Sequence, residues 1–427
     1  MNDIVARALL SVWLIALVAF GLRMGFAADQ ARKVPAEVLR EVPFEQETGN
    51  IAAAVAEGRG FSDVFRGGTG KTAWLAPVYP ALLAGIFKVF GVFTVSSLLA
   101  AVTLNAVCSA AVCFPLCWIG NRVGGPMLGA AAGWLWAIYP NGIVMPFEWI
   151  WDTSLSALLA VSLIWATMAI AERTQRSNEV LAWCGYGAFW GLALLTNPAL
   201  GAMLPFLLAW AAIRTAGASG RGWRMAAAVL AMLAVCTPWT IRNYRVFGRV
   251  APVRSSFPFE LWIGNNDIFD PNGVRVRITR FEEARRYAQL GENAYLDEKW
   301  SEATEFFRRH PALEVRLTAR RALAFWFGTP DPLASFGKAE TLLEWMLVVT
   351  GFLLAAGTLL GVFRLAQLGN AFVIPLVTAP AAYPIVFYAT HASLRYQHPI
   401  DPILLLLTAY GIGSLLRARR GTAQRAG

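Results

Sequence analysis

The chain has 427 residues, 57% of them hydrophobic and only 15% charged, with a net charge of +10. Soluble domains carry about 25% charged residues, while apolar stretches near the ~20 residues that cross a bilayer recur along this chain; composition excludes a soluble enzyme and indicates an all-α polytopic membrane protein. Nor does the positive charge point to nucleic acid, because Lys and Arg gather beside apolar spans, in ERTQR (172–176), RTAGASGRGWR (214–224) and RARR (417–420), as they do in cytoplasmic loops.

Eleven apolar segments follow one another: 7–27, 75–92, 95–120, 125–141, 150–171, 180–196, 198–213, 224–240, 341–363, 368–388 and 399–416. The first, RALLSVWLIALVAFGLRMGFAA, has the basic flank and small residues of a signal peptide, and suits an uncleaved first helix equally well. Residues 28–74 form a first outer loop. Within it GGTGKTAW (67–74) ends as a phosphate-binding loop does, but Phe65 stands where such a loop needs its first glycine and no strand pattern precedes it; this excludes a nucleotide site. In FEQETGNIAAAVAEGRGF (44–61), Thr48 is a candidate N-cap for a short helix with Ala52, Val55 and Ala56 on one apolar face. Glu45 and Glu47 then sit at the positive end of that helix. There a carboxylate stays ionised and can accept a proton from an attacking hydroxyl, or act only as an ordinary dipole partner.

Segment 75–92 holds two prolines near its start and Lys88 inside it. Proline removes a backbone donor and bends a helix, and counting this segment as a crossing would place the basic loops outside. A juxtamembrane or re-entrant helix leaves about ten crossings, both ends cytoplasmic and every basic loop inside. The five cysteines all lie in apolar spans without zinc-ligand spacing, as small core residues do. Residues 241–340 hold close to half of the chain's charged residues and form a mainly helical extracytoplasmic subdomain of two or three amphipathic helices, interrupted at Gly291 and Pro311. The chain thus divides into 1–240, 241–340 and 341–427. Span centres carry almost no ionisable residues. Glu148 and Asp152 lie near the outer end of 150–171, and Arg395 and His398 near the outer start of the last span. A pump should hold such groups at mid-depth; an enzyme acting on a lipid headgroup should hold them here.

ETGNIAAAVAEGRGF and TAWLAPVYPALLAGIFKVFG together resemble the first outer loop of integral-membrane glycosyltransferases that use polyprenyl-phosphate sugars. This is the GT-C superfamily of protein O-mannosyltransferases and the lipid A aminoarabinose transferase. YPNGIVMPFEWIWDTSLSALL (139–159), LLTNPAL (194–200), CTPWTIRNYRVFG (236–248), FFRRHPALEVRLTARRALAFW (306–326) and ATHASLRYQHPIDPILLLL (389–407) extend the resemblance, in order, over nearly the whole chain. Aligned on the Ile-Ala and Glu-Gly-x-Gly-Phe pattern, the usual first aspartate falls on Phe44 and the second acidic position on Glu45, with Glu47 two residues on.

The resemblance implies that an acceptor hydroxyl or amine attacks the anomeric carbon of a lipid-phosphate sugar and displaces polyprenyl phosphate with inversion. Glu47 would be the base, with Glu45 as its alternate and Asp152 as the second acidic site, which could instead position the acceptor or a metal. Fixed cations would stabilise the leaving phosphate, and Arg242, Arg395 and Lys71 are the candidates, against the ordinary alternative of snorkelling to headgroups. Tyr396, His398, Asn243 and Glu148 are candidate substrate contacts. Asn265, Asn266 and Asp267, among aromatics in FPFELWIGNND (257–267), suit sugar contact. Some superfamily members bind a divalent cation, for which no ligand set is evident here. The implied partners are a polyprenyl-phosphate sugar donor, membrane lipids and a lipid, protein or glycan acceptor, at the periplasmic face of a bacterial inner membrane. The rival class is a transporter or flippase of a lipid-linked glycan, which should show internal repeats or broken helices at mid-depth; a non-catalytic scaffold is the third.

Overall fold

The computed structural model describes residues 9–35, 44, 47–172, 179–215, 220–266, 280–329 and 342–426. Glu45 and Asp267 lie outside them. Among the described residues every regular element is a helix, apart from one isolated antiparallel bridge between Ser62 and Lys71. Seven helices among the described residues are long and apolar enough to cross a membrane: Val12–Lys33, Val95–Gly124, Thr153–Ala171, Pro198–Thr215, Gly222–Phe247, Val349–Gln367 and Asp401–Ala418.

The remaining apolar segments are shorter for identifiable reasons. Segment 125–141 gives Pro126–Ile138, closed at Tyr139 by the following Pro140, which opens the next helix, Pro140–Glu148. Segment 368–388 breaks at Tyr383–Pro384 into Val373–Ala382 and Ile385–Ala389, because a proline cannot donate to the preceding turn. Segment 180–196 gives Glu179–Leu194, of 16 residues. Val78–Phe90 has 13 residues, about 20 Å at the helical rise, which is short of the ~30 Å hydrocarbon layer.

Two spans differ from the sequence reading. The apolar segment expected to end at residue 240 continues as helix to Phe247, which puts Arg242 and Asn243 on its last turns rather than in a loop. Arg23, in the middle of Val12–Lys33, is only 1% exposed. Its Nε donates to Ser109 (2.7 Å), and its two terminal nitrogens donate to the Ala19, Ala137 and Trp136 carbonyls (2.8, 3.2 and 3.2 Å). The last two of these belong to the final turn of Pro126–Ile138, where helical carbonyls lack an intrahelical partner. The guanidinium supplies it.

Small residues set the packing of the bundle. Glu179–Leu194 lies so close to Arg221–Phe247 that a Cβ at Gly187 would sit 1.9 Å from the Ala228 carbonyl oxygen; one at Gly361 would sit 2.0 Å from that of Leu407. Close backbone approach of this kind drives helix association where no hydrophobic difference between lipid and protein exists.

The 47–76 segment and the charged helices Phe257–Gly264 and Arg280–Arg309 share one aromatic core. Trp74 packs on Phe259, Tyr287 and Tyr295 with ring centroids 4.9, 5.8 and 6.2 Å apart. Glu292 sits in this core at 5% exposure. Its carboxylate accepts from the Thr72, Ser255 and Tyr287 hydroxyls (2.5, 2.7 and 2.7 Å) and from the Ala73 N–H (2.9 Å). The preceding Gly291 has φ 73° and ψ 164°, a conformation open to glycine almost alone. That residue breaks the helix and lets Glu292 turn inward. Glu292→Ala would leave four buried donors unpaired, each worth about 1–3 kcal/mol. It should lower the thermal unfolding midpoint and open 280–309 to limited proteolysis before the bundle melts.

Candidate active site

A cavity of about 460 Å³ lies where the aromatic layer meets the bundle, within the ~300–1,000 Å³ of small-molecule sites. Each wall arises from a local rule. The Pro140–Glu148 helix ends after an internal Pro146, and Asn105 donates to both the Pro146 and Trp149 carbonyls (3.2 and 3.1 Å) while accepting from the Tyr79 hydroxyl (2.9 Å). Beyond that break the chain is extended at Trp149. In an extended chain side chains alternate, and here Trp149 and Trp151 share one side while Ile150 is buried at 3% exposure.

The two indoles and Tyr396 surround one cation. The Arg395 guanidinium carbon lies 4.3 Å from the Trp149 ring centroid, 4.8 Å from Trp151 and 4.9 Å from Tyr396. Such a cage attracts the charge electrostatically and holds the planar fork in one orientation. Arg395 also donates to the Tyr396 hydroxyl at 3.0 Å.

Asp152 precedes the Thr153–Ala171 helix and lines the cavity. Ser156, one turn on, donates to its Oδ2 at 2.8 Å, and Asn197 Nδ2 donates to Ser156 at 3.1 Å. Asn197 is held by its own role as N-cap of the 3₁₀ turn Pro198–Met203, accepting from the Ala199 N–H at 3.0 Å. Burial pushes the Asp152 carboxyl above the usual carboxylate range, against the Ser156 hydrogen bond and the Arg395 and Arg254 charges, which favour its ionised form.

A second charged group faces the same space. Arg254 lies 3.7 Å from Glu260 Oε1, Glu260 Oε2 lies 3.7 Å from His391 Nε2, and His391 Nε2 lies 2.7 Å from the Tyr396 hydroxyl. The irregular strip that carries His391 is fixed from behind by Arg321, which is fully buried. It donates to the Tyr388, Ala389 and Gly264 carbonyls (3.2, 3.3 and 2.5 Å) and pairs with Glu314 at 2.9 Å. A Cβ at Gly264 would stand 1.8 Å from the Thr390 carbonyl oxygen, so only glycine admits this contact.

Of the residues singled out from sequence, Asp152, Arg395 and Tyr396 line the cavity. Glu47 lies in the first turn of Glu47–Ala56, one residue before Thr48. Thr48 is not the N-cap outside that helix but sits within its first turn, buried and lining the cavity. The others lie elsewhere. Arg242 donates to the Thr72 and Phe61 carbonyls (2.6 and 2.8 Å), and Asn243 is fully buried, donating to the Ala251 carbonyl at 2.8 Å. Lys71 is exposed and donates to the Arg59 carbonyl at 2.7 Å. Arg242 and Lys71 hold the 47–76 segment, and Asn243 holds the turn that follows its own helix. Glu148 is exposed at the end of its helix, and His398 is fully buried against Trp136, with ring centroids 5.3 Å apart. Asn265 and Asn266 are buried in bonds to backbone carbonyls. Among the described residues no group of three or more His, Cys, Asp or Glu has the arrangement of a metal site.

Sequence reasoning passed over Arg254, Glu260, His391 and Asn197. Glu260 and Asn197 lay inside stretches that carried the resemblance or its sugar-contact reading; nothing local set either apart from a surface acid or a capping amide.

No protein-family model and no curated protein matches the chain. Solved structures do. The oligosaccharyltransferase of Archaeoglobus fulgidus in its apo form is similar at a TM-score of 0.55 and 14% identity, over 97% of this chain and 52% of that one. The same archaeal enzyme, AglB, in complex with an inhibitory peptide and a dolichol-phosphate, is similar at 0.52 and 13% identity, over 96% and 52%. ArnT from Cupriavidus metallidurans bound to undecaprenyl phosphate is more distant, at 0.34 and 12%, over 89% and 76%. The chain therefore shares its fold with the archaeal oligosaccharyltransferase and spans about half of that protein's length.

The scaffold around Arg395 is testable apart from any activity. Asn105→Leu, of similar volume, would strand the Tyr79 hydroxyl and the Pro146 carbonyl, while the Trp149 carbonyl keeps the Trp151 N–H. It should cost about 1–3 kcal/mol, read as a lower unfolding midpoint in detergent with altered tryptophan fluorescence from the cage.

Proposed function

We propose that this protein transfers a sugar from a polyprenyl-phosphate donor to a hydroxyl or amine acceptor at the extracytoplasmic surface of a bacterial inner membrane. The observation that carries the reading is one cavity faced by a caged guanidinium and a carboxylate, in a membrane protein with the GT-C fold. In this reading Arg395, with Arg254 beside it, holds the phosphate, since arginine offers phosphate oxygens a planar fork of donors. As the glycosidic C–O bond breaks, negative charge grows on the departing phosphate, and cations fixed in advance stabilise it without reorganisation.

Asp152 is the base. It faces the cavity, Ser156 and Asn197 fix its orientation, and burial raises its proton affinity, which suits a group that must take a proton from the acceptor as that atom attacks. Glu47, one residue before the cavity-lining Thr48, is assigned in this reading to orienting the acceptor. Counting the consecutive helices Pro126–Ile138 and Pro140–Glu148 as one crossing, and Glu179–Leu194 and Val373–Ala389 as two more, brings the seven long helices to ten. Both termini and the basic loops then share the cytoplasmic side, and 241–340 stands outside with the cavity.

The test is sugar transfer by purified protein from a polyprenyl-phosphate sugar, which a flippase would not perform. Asp152→Asn should lower kcat by roughly 10²–10⁴-fold, the usual worth of a positioned base, whereas Glu47→Gln should act mainly on KM for the acceptor. Full activity in Asp152→Asn would end the base assignment. A base must be ionised, and a raised proton affinity moves its titration upward. The acid limb of the rate should therefore fall above the ordinary aspartate range of ~3.9 and vanish in the Asn variant. Arg395→Lys, which keeps the charge but not the fork, should weaken polyprenyl phosphate binding at least ~10-fold, measured by product inhibition.

A further inference from the structure

The His391–Tyr396 pair has an asymmetry that the scheme above does not use. A tyrosine hydroxyl has one hydrogen, and guanidinium can only donate. In its 3.0 Å contact with Arg395, the Tyr396 oxygen is therefore the acceptor. With His391 Nε2 unprotonated, the single hydrogen goes to that nitrogen, 2.7 Å away, and Tyr396 has none to offer a ligand. Once Nε2 carries a proton the direction reverses. The hydroxyl accepts from both cations, and its own hydrogen is free to turn into the cavity that both residues line.

We propose that His391 is a positioning residue that takes up a proton when lipid phosphate binds, so that the Tyr396 hydroxyl is handed from the imidazole to a phosphate oxygen. The proposal rests on the reading of the Arg395 end as the phosphate site. No covalent bond changes: one proton moves from solvent to His391 Nε2, and one hydrogen bond is exchanged for two. Glu260 Oε2, 3.7 Å from the same nitrogen, favours the imidazolium. Arg395 and Arg254 oppose it until an added anion offsets them. The other groups around His391 are Tyr396 on its own strip, Asp152 across the shared cavity, and Arg321 behind, already paired with Glu314. Binding and protonation are linked, so phosphate affinity rises as pH falls through the imidazole titration. Histidine is the side chain whose charge ordinarily changes between about pH 5 and 8. The leaving group passes from a phosphodiester to a monoester able to carry a second charge, so the extra donor matters most for the product-like state.

The experiment is calorimetric titration of the purified full chain in detergent with farnesyl phosphate at pH 7, in two buffers of different ionisation enthalpy, which counts protons taken up per ligand bound. The unmodified protein should take up more protons per ligand bound than His391→Gln, a variant that can still accept from Tyr396 but cannot become charged. Tyr396→Phe keeps the ring stacked on Phe387, 4.7 Å away, so it preserves the fold if the first variant does not. It should lose the same increment. Equal proton uptake in all three proteins, with binding intact, overturns the relay and leaves the phosphate site standing. No binding by the unmodified protein at millimolar ligand overturns the site and the relay together.

Discussion

A buried carboxylate ringed by four donors holds the functional end of this chain together. Glu292 reaches back across more than two hundred residues of sequence to Thr72 and Ala73, and forward from them the chain runs directly into Leu75, Ala76 and Tyr79, which line the cavity. Ser255 takes a third bond, next to Arg254. Two walls of one pocket thus hang from a single side chain, because an ionised oxygen pair in a low-dielectric interior must be fully solvated by donors or not be buried at all. The Gly291 break is what delivers the carboxylate to them.

The arginines show how far one residue type can diverge in role. Arg23 terminates a helix inside the bundle, Arg321 ties down the strip that carries His391, and Arg242 clasps the loop containing Lys71. All three spend most of their donors on backbone carbonyls and the rest on side chains of the fold. Arg395 does not. Its neighbours are aromatic faces and a hydroxyl, a cage that fixes the group while leaving donors for a ligand. That difference, rather than charge or depth, is what sets Arg395 apart from the structural cations here.

The membrane class and the helix breaks were legible because each follows from local chemistry: hydropathy over about 20 residues, proline's missing donor, glycine's free φ. Gly291 and Pro311 stand where the amphipathic pattern places them, one kinking a helix and the other opening the next. Individual roles were less legible. Arg242, Asn243 and Lys71 have the residue types and depth of substrate contacts, yet each is taken up by a backbone carbonyl: Arg242 by a loop 170 and 181 residues away, Asn243 and Lys71 by carbonyls 8 and 12 residues away that only the folded turns bring round. Arg23 looked like one more residue in an apolar stretch, since its partners come from the Ser109 and Trp136 regions.

Taken alone, the order of residues determined what kind of molecule this is, which segments are helical and which motifs carry the glycosyltransferase resemblance. The tertiary structure alone decided which polar side chains share a cavity: it joined Asp152 to Asn197 through Ser156 and brought Arg254, Glu260 and His391 up to Arg395, while it turned His398 into the core. The reason is physical. Whether a buried polar group is structural or available depends on the donors and acceptors within about 3 Å of it, and in a bundle of this kind those come from helices that the chain itself keeps far apart.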